Sequence, residues 1–176
     1  MIVGGGVVGR DALLAAAWTA LEQRRTVLLA GPAGIGKTAV LRELVARARA
    51  TGYLVVGCAP TEAEHALPLA ALADLLQPLY EHADVLPEPQ RAAVDAALLV
   101  GAPDAAVDER ALAAATRALL EAAADRAGGR LILAVDDAPW LDPPSERALR
   151  FVLRRLPTST ARTTRPPSAS TPRPSG

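Results

Sequence analysis

The sequence predicts an α/β fold with a parallel sheet, because short apolar runs alternate with amphipathic segments along the chain. Three runs have the length and composition of buried strands, and they cover Thr26–Ala30, Tyr53–Cys58 and Leu131–Val135. Segments with apolar residues at helical spacing follow these runs. We therefore predict a three-layer sandwich over residues 1–156, with helices on both faces of the sheet.

The helices are predicted from their apolar spacing and their end signals. Asp11 is expected to cap a first helix whose apolar residues run from Leu13 to Leu21. Asp142 and Pro143 mark another helix start, with the aspartate as N-cap and the proline at the first helical position, and this helix should run to about Leu156. The other predicted helices are Lys37–Ala50, Leu67–Tyr80, Gln90–Leu99 and Glu109–Ala127.

Composition excludes several classes of protein. Hydrophobic residues make up 51% of the chain, and 19 basic residues balance 19 acidic ones, so there is no electrostatic footprint for nucleic acid or for a membrane surface. Cys58 is the only cysteine, which excludes a disulfide within the chain and suits a reducing compartment. No run of 18 apolar residues and no signal peptide is visible. We expect a cytoplasmic protein without a membrane partner.

Residues 157–176 differ sharply from the rest. Five of these 20 residues are Pro, five Thr, four Ser and three Arg. Such a segment cannot bury enough apolar area to offset the entropy of ordering it. We therefore predict that 157–176 is a disordered tail outside the domain 1–156.

The chemistry is carried first by a glycine-rich loop between a strand and a helix. Its residues are Gly31, Pro32, Ala33, Gly34, Ile35, Gly36, Lys37 and Thr38, which match G-x-x-x-x-G-K-[ST] at every required position. Glycines let the backbone N–H groups face a phosphate, and the following helix directs its positive end there. Lys37, the only lysine of the chain, can reach the β- and γ-phosphates, and the Thr38 hydroxyl can ligate Mg²⁺. The pattern predicts binding of ATP with Mg²⁺.

Two acids follow the strand Leu131–Val135 and extend this prediction. The carboxyl end of a buried parallel strand lies at the same sheet edge as the phosphate loop. Asp136 is then expected to hold Mg²⁺, and Asp137 to orient or deprotonate the attacking water. With Lys37, Asp137 forms the predicted catalytic set.

Other chemically active side chains have simpler interpretations. Cys58 is expected to be a small core residue, and His65 and His82 to be surface or loop residues because no ligand cluster accompanies them. Trp18 should pack its helix onto the sheet, and Thr61–Glu64 should form a solvated loop.

At larger scale the motifs resemble one class of protein. Four motifs follow one another along the chain: Val7-Val8-Gly9-Arg10-Asp11, the phosphate loop, Leu67-Pro68-Leu69-Ala70-Ala71-Leu72, and Asp136-Asp137-Ala138-Pro139-Trp140-Leu141-Asp142. Together they resemble the N-terminal AAA/STAND P-loop ATPase domain of large ATP-binding LuxR-family transcriptional regulators, over about residues 3–156.

The resemblance implies further roles. Val8, Gly9 and Arg10 would lie near the adenine, and Trp140 and Asp142 would brace the segment after the Mg²⁺ strand, although Trp140 could equally be a core anchor. In such regulators ATP binding switches a resting state to an assembled, active one. Self-association is therefore expected of the parent protein, and DNA binding only of a C-terminal helix-turn-helix domain that this sequence lacks.

The chain also departs from that family. At least two further core strands are expected, so the P-loop NTPase fold is predicted to be C-terminally incomplete, and a frameshift or truncated gene model could explain the tail after residue 156. Hydrolysis should then be weak or absent. Two alternatives stay open: an AAA-type module of a cyclase- or kinase-fused signalling protein, and an inactive truncated product. A GTPase is disfavoured because its N-K-x-D needs an Asn, which the chain lacks, and a small-molecule kinase because no Arg-rich phosphate lid is visible.

Overall fold

The computed structural model describes residues 10–100, 107–156 and 159–164. Strands and helices alternate at its start and its end, with a helical region between the second and third strands. The strands are β1 (Thr26–Ala30), β2 (Leu54–Cys58), β3 (Leu131–Val135) and β4 (Ser159–Thr164). The helices are α1 (Asp11–Glu22), α2 (Lys37–Ala50), α3 (Ala70–Leu76), α4 (Glu88–Ala97), α5 (Glu109–Arg126) and α6 (Pro143–Leu153). Short 3₁₀ helices cover Glu62–Glu64, Gln77–Val85 and Ala138–Trp140.

The four strands form one sheet in the order β1-β4-β3-β2, and every neighbouring pair is parallel. Ala30 at the end of β1 pairs with Thr164, and Val135 at the end of β3 pairs with Cys58 and Arg162. The carboxyl ends of all four strands therefore meet at one edge of the sheet. That edge is where ligands bind in open parallel sheets.

Two hydrophobic cores cover the two faces of this sheet, which confirms the predicted α/β fold with a parallel sheet between layers of helices. All five residues of β3 are buried. Leu131, Leu133 and Val135 enter the core beneath α3 to α6, whereas Ile132 and Ala134 face the core beneath α1 and α2. Successive side chains of a strand point to opposite faces, so a strand covered on both sides reads as a continuous apolar run.

The first two elements differ in detail from the prediction. Helix α1 begins at Asp11, so Arg10 occupies the N-cap and no side chain caps the helix. Strand β1 buries Val27 and Leu29 but leaves Leu28 49% exposed. It is an edge strand rather than a strand buried on both faces. Trp18 does pack as predicted, 5% exposed and 5.8 Å from the Tyr53 ring centroid in an edge-to-face contact.

The region between β2 and α4 is less regular than predicted. Helix α3 ends at Leu76, and the chain continues as the 3₁₀ helix Gln77–Val85. His82 lies in that 3₁₀ helix and is 7% exposed, so its prediction as a surface or loop residue was wrong. It lies where this 3₁₀ helix packs against α5, and its Nδ1 accepts a hydrogen bond from the Arg126 guanidinium.

Strand β4 corrects the prediction for residues 159–164. Ser159–Thr164 lies inside the predicted disordered tail, yet it forms the strand that joins β1 to β3. The prediction weighed only side-chain burial. A central strand also gains backbone hydrogen bonds from both neighbours, and β-branched threonines suit an extended chain. Residues 157, 158 and 165–176 lie outside the described part of the chain.

Candidate functional site: a phosphate-binding loop beside an aspartate

The glycine-rich loop connects β1 to α2 at the carboxyl edge of the sheet. Gly34 has φ +77° and Gly36 has φ +88°, a left-handed conformation that costs glycine little and other residues more. Gly36 is the N-cap of α2, which has no side-chain cap. The first-turn N–H groups of α2 thus have the orientation that binds an anion.

Lys37 and Thr38, the first two residues of α2, point functional groups into this region. The Lys37 ammonium donates hydrogen bonds to the carbonyl oxygens of Gly31, at 3.2 Å, and Pro32, at 3.1 Å. The side chain therefore folds back over its own loop, where it could exchange these carbonyls for phosphate oxygens. The Thr38 hydroxyl donates to Asp136 Oδ1 at 3.2 Å, although 98 positions separate the two residues.

Asp136 is held at the end of β3 by the sheet. Its amide donates to the carbonyl of Cys58 at 3.0 Å, which extends the β2–β3 pairing by one residue. The next amide, that of Asp137, donates to Asp136 Oδ1 at 3.0 Å and so helps fix the direction of the carboxylate. Asp137 itself is exposed and adopts a left-handed conformation with φ +44°. This turn separates the two acids, because Asp136 faces Thr38 while Asp137 faces the open cleft.

A cleft of about 590 Å³ lies between the loop and the segment after β3. Its volume falls within the range of small-molecule sites. The loop and α2 supply Ala33, Gly34, Gly36, Lys37, Thr38, Ala39 and Arg42, and the opposite wall consists of Asp137, Pro139 and Trp140. Trp140 is half-buried and lines this cleft, and it does not belong to either hydrophobic core, so the core-anchor alternative is not supported and its bracing role stays a prediction.

Arg10 is the described member of the predicted adenine-side group. Its guanidinium donates to the carbonyl of Gly36 at 3.1 Å and also to the carbonyl of Ile35. It braces the last turn of the phosphate loop, and a Cβ on Gly36 would come within 2.8 Å of it. Its role near an adenine stays a prediction. Val8 and Gly9 lie outside the described residues.

Asp142 holds the segment that forms the opposite wall of the cleft. It is 1% exposed and caps α6 by accepting from the Ser145 amide at 3.0 Å, as its position predicted. It also accepts from the amides of Leu69, at 2.8 Å, and Ala71, at 3.3 Å. Burial alone would raise the pKa of Asp142. The hydrogen bonds from the hydroxyl and amide of Ser145 and from the two other amides outweigh burial, and they hold the pKa below its ordinary value.

Cys58 belongs to the core, as predicted. It is 8% exposed and lies where β2 ends, close to the site. Burial, with smaller contributions from the charges of Asp74 and Asp142, raises the pKa of its thiol to about 12. A thiol with such a pKa is not a nucleophile near neutral pH.

Sequence reasoning missed two residues at the site. Arg42 lines the cleft one helical turn after Thr38, a spacing that could have identified it. His65 was interpreted as a surface residue, and it is exposed, but it also contacts the cleft wall through Trp140. His65 lies far from Trp140 along the chain, so the sequence gave no sign of their contact. Among the described residues, no cluster of three or more His, Cys, Asp or Glu side chains could hold a metal ion by itself.

Within the described ranges, no helix has the length and apolar character needed to cross a membrane. No curated protein matches the chain. A family model described as an AAA ATPase domain matches residues 6–164, which include the phosphate loop, Asp136 and all four strands. The chain therefore belongs to the AAA ATPase domain family.

Proposed function

We propose that this chain binds ATP together with Mg²⁺ through Gly31–Thr38. Membership of the AAA ATPase domain family supports nucleotide binding in general. The observation that carries the finer proposal is the 3.2 Å contact between the Thr38 hydroxyl and Asp136 Oδ1 at the mouth of the loop. A hydroxyl and a carboxylate at this place are the two protein ligands that a P-loop site gives to Mg²⁺.

The donor set fits the ion. Mg²⁺ in nucleotide sites takes one or two protein oxygens and completes its coordination with phosphate oxygens and water. When bound, the ion would neutralise charge on the terminal phosphates. Lys37 would neutralise further charge on the β- and γ-phosphates.

Hydrolysis would depend on Asp137. Asp137 lines the cleft beside Pro139 and Trp140, on the side away from the loop. There it can accept a proton from a water that approaches the terminal phosphate. We expect turnover to be slow, as in a regulatory switch, and to require Lys37 and Asp137 together.

A titration with a fluorescent ATP analogue, with and without Mg²⁺, tests the central claim. Lys37→Ala should weaken binding at least about tenfold, because it removes a charged hydrogen-bond donor to phosphate. Arg49→Ala is the matched control, since Arg49 is an exposed cation on the same helix, far from the loop. Equal affinity of wild type and Lys37→Ala would refute ATP binding through this loop.

The roles of the two acids separate in the same assay. Asp136→Asn should abolish most of the affinity that Mg²⁺ adds, whereas Asp137→Asn should leave binding intact and remove any hydrolysis. Competition with GTP tests the choice of base. Displacement of the analogue by GTP as effective as by ATP would contradict the proposal that the site selects adenine.

For the parent protein, we propose a LuxR-family transcriptional regulator of the STAND type, in which this cytoplasmic domain acts as the ATP switch. The motif Val7–Asp11 and the segment Asp136–Asp142 support that assignment. DNA binding would then belong to a C-terminal helix-turn-helix domain and self-association to the parent protein. Genomic sequence downstream of codon 164 tests this idea. A cyclase or kinase domain there, or no helix-turn-helix in any frame, would favour the alternatives named above.

A further inference from the structure

The segment that follows Asp137 is clamped by residues from a distant part of the chain. Residues 61–72 run from the connection after β2 into the first turn of α3, and their backbone and side chains hold 138–145 at two points. The first is Asp142, which accepts from the amides of Leu69 and Ala71. Nearby, the Ser145 hydroxyl oxygen accepts from the amide of Leu72 at 2.9 Å. Both acceptors are almost fully buried, so this end of the clamp is fixed.

The second point is His65. Its Nδ1 lies 3.0 Å from the carbonyl oxygen of Leu141, and because a carbonyl can only accept, Nδ1 must carry the proton and donate. The imidazole also meets the Trp140 ring edge to face, with centroids 6.3 Å apart and planes at 73°. One exposed side chain therefore contacts both residues that follow Pro139.

His65 is itself held in place by a short capped turn. The 3₁₀ helix Glu62–Glu64 precedes it directly, and Thr61 closes a capping box with Glu64. The amide and hydroxyl of Thr61 donate to Glu64 Oε2 at 2.9 and 2.7 Å. Such a box fixes the backbone of the turn. His65 therefore directly follows a hydrogen-bonded turn.

The residues that His65 holds form the wall of the nucleotide cleft. Trp140 and Pro139 line it opposite Lys37 and Thr38. Thr38 and Asp136 are the residues that would hold Mg²⁺ near the terminal phosphates of a bound triphosphate. The wall therefore stands at the end of the cleft that a third phosphate would occupy.

We propose that His65 is a positioning residue that holds the Pro139–Trp140 wall against the terminal phosphate, and that it thereby favours nucleoside triphosphate over diphosphate. This inference rests on the proposed ATP site and adds a determinant of its specificity. A nucleoside diphosphate has no third phosphate to contact Pro139 and Trp140, so its affinity should depend little on their position. A triphosphate places its third phosphate next to these residues, so its affinity should depend on their position.

The test compares two nucleotides across matched variants of the full chain. Displacement of a fluorescent ATP analogue gives the affinities of a non-hydrolysable ATP analogue and of ADP, both with Mg²⁺. His65→Ala removes the donor and the ring, and Glu62→Ala is the control, because Glu62 is an exposed residue of the same turn. His65→Asn keeps an N–H donor and should lose less affinity than His65→Ala.

We expect His65→Ala to lose about fivefold affinity for the triphosphate, which corresponds to one hydrogen bond, and less than about twofold for ADP. Its thermal unfolding midpoint should match that of Glu62→Ala, because His65 is exposed. Equal losses for both nucleotides, or no loss for either, would overturn the positioning role while leaving ATP binding intact. A wild-type chain that binds neither nucleotide would instead refute the proposed function, and the inference with it.

Discussion

Replacing Asp142 by asparagine should destabilise the protein far more than its single-atom change suggests. The carboxylate is 1% exposed and accepts from the amides of Leu69, Ala71 and Ser145, at 2.8, 3.3 and 3.0 Å. These bonds join the start of α3 to the start of α6. In Asp142→Asn, an NH₂ group replaces one carboxylate oxygen. At least one buried amide then faces a donor instead of an acceptor.

The size of the effect follows from these contacts. Losing one buried acceptor leaves a donor unsatisfied, at about 1–3 kcal/mol, and the remaining bonds become neutral rather than charge-assisted. We expect a loss of about 2–4 kcal/mol in the free energy of unfolding at pH 7, a large share of the roughly 5–15 kcal/mol that is typical of a domain. Urea denaturation followed by far-ultraviolet circular dichroism measures it. Glu146→Gln is the control, because its exposed ion pair with Arg150 contributes little.

The loss of stability in Asp142→Asn should also depend on pH. The folded state lowers the pKa of Asp142, so its stabilising contribution is fully present above the unfolded-state value of about 3.9. It is lost as the pH falls through the lower, folded-state pKa. The stability gap between wild type and Asp142→Asn should therefore be constant from pH 7 to pH 5 and narrow below about pH 4. A loss at pH 7 no larger than that of Glu146→Gln would show that these hydrogen bonds do not support the fold.

Two further predictions concern the end of β2. Gly57→Ala should destabilise the protein by about 2 kcal/mol or more, because its Cβ would lie 2.2 Å from the carbonyl oxygen of Ala134 and force β2 and β3 apart. Gly128→Ala, where a Cβ meets nothing within 4 Å, should cost only the strain of its left-handed backbone, and equal unfolding midpoints for the two variants would contradict this. Cys58, with a pKa of about 12, should resist iodoacetamide at pH 8 until the protein unfolds. Rapid alkylation in native buffer, followed by mass spectrometry, would disprove its burial.

The sequence predicted best what depends on local pattern. Strand β3 and the N-cap Asp142 were readable because a continuous apolar run and an Asp-Pro pair each have one dominant structural meaning. The proximity of Thr38 and Asp136 also followed, since parallel strands end at one edge. These inferences need only the spacing of apolar residues along the chain and the direction of the strands.

What the sequence did not reveal depends on partners far along the chain. His82 is buried where its 3₁₀ helix packs against α5 and contacts Arg126, and His65 contacts Trp140 of the cleft wall from the turn after β2. Neither contact produces a periodic pattern in the sequence. The prediction of disorder failed at Ser159–Thr164 for a related reason, because the composition of this segment gives no sign of the two strands that flank it.

Strand β4 leads to the most decisive test of the fold. Within the described sheet, β1 pairs only with β4, through five positions from Thr26↔Thr160 to Ala30↔Thr164. A chain ending at Leu156 would leave β1 without a strand neighbour and expose one side of β3. At about 1 kcal/mol net for each lost backbone hydrogen bond, the deletion should cost about 5 kcal/mol or more, comparable to the whole stability of many domains.

We therefore expect the chain 1–156 to unfold without a cooperative transition, whereas the chain 1–164, which keeps β4, should unfold cooperatively. The phosphate loop follows β1 directly, so 1–156 should also fail to bind a fluorescent ATP analogue that 1–164 binds. Both truncated chains lack residues 165–176, so any difference between them is due to residues 157–164, which contain β4. Coincident urea midpoints for the two chains would mean that β1 is held by α1 and α2 alone, and that β4 is dispensable to the site.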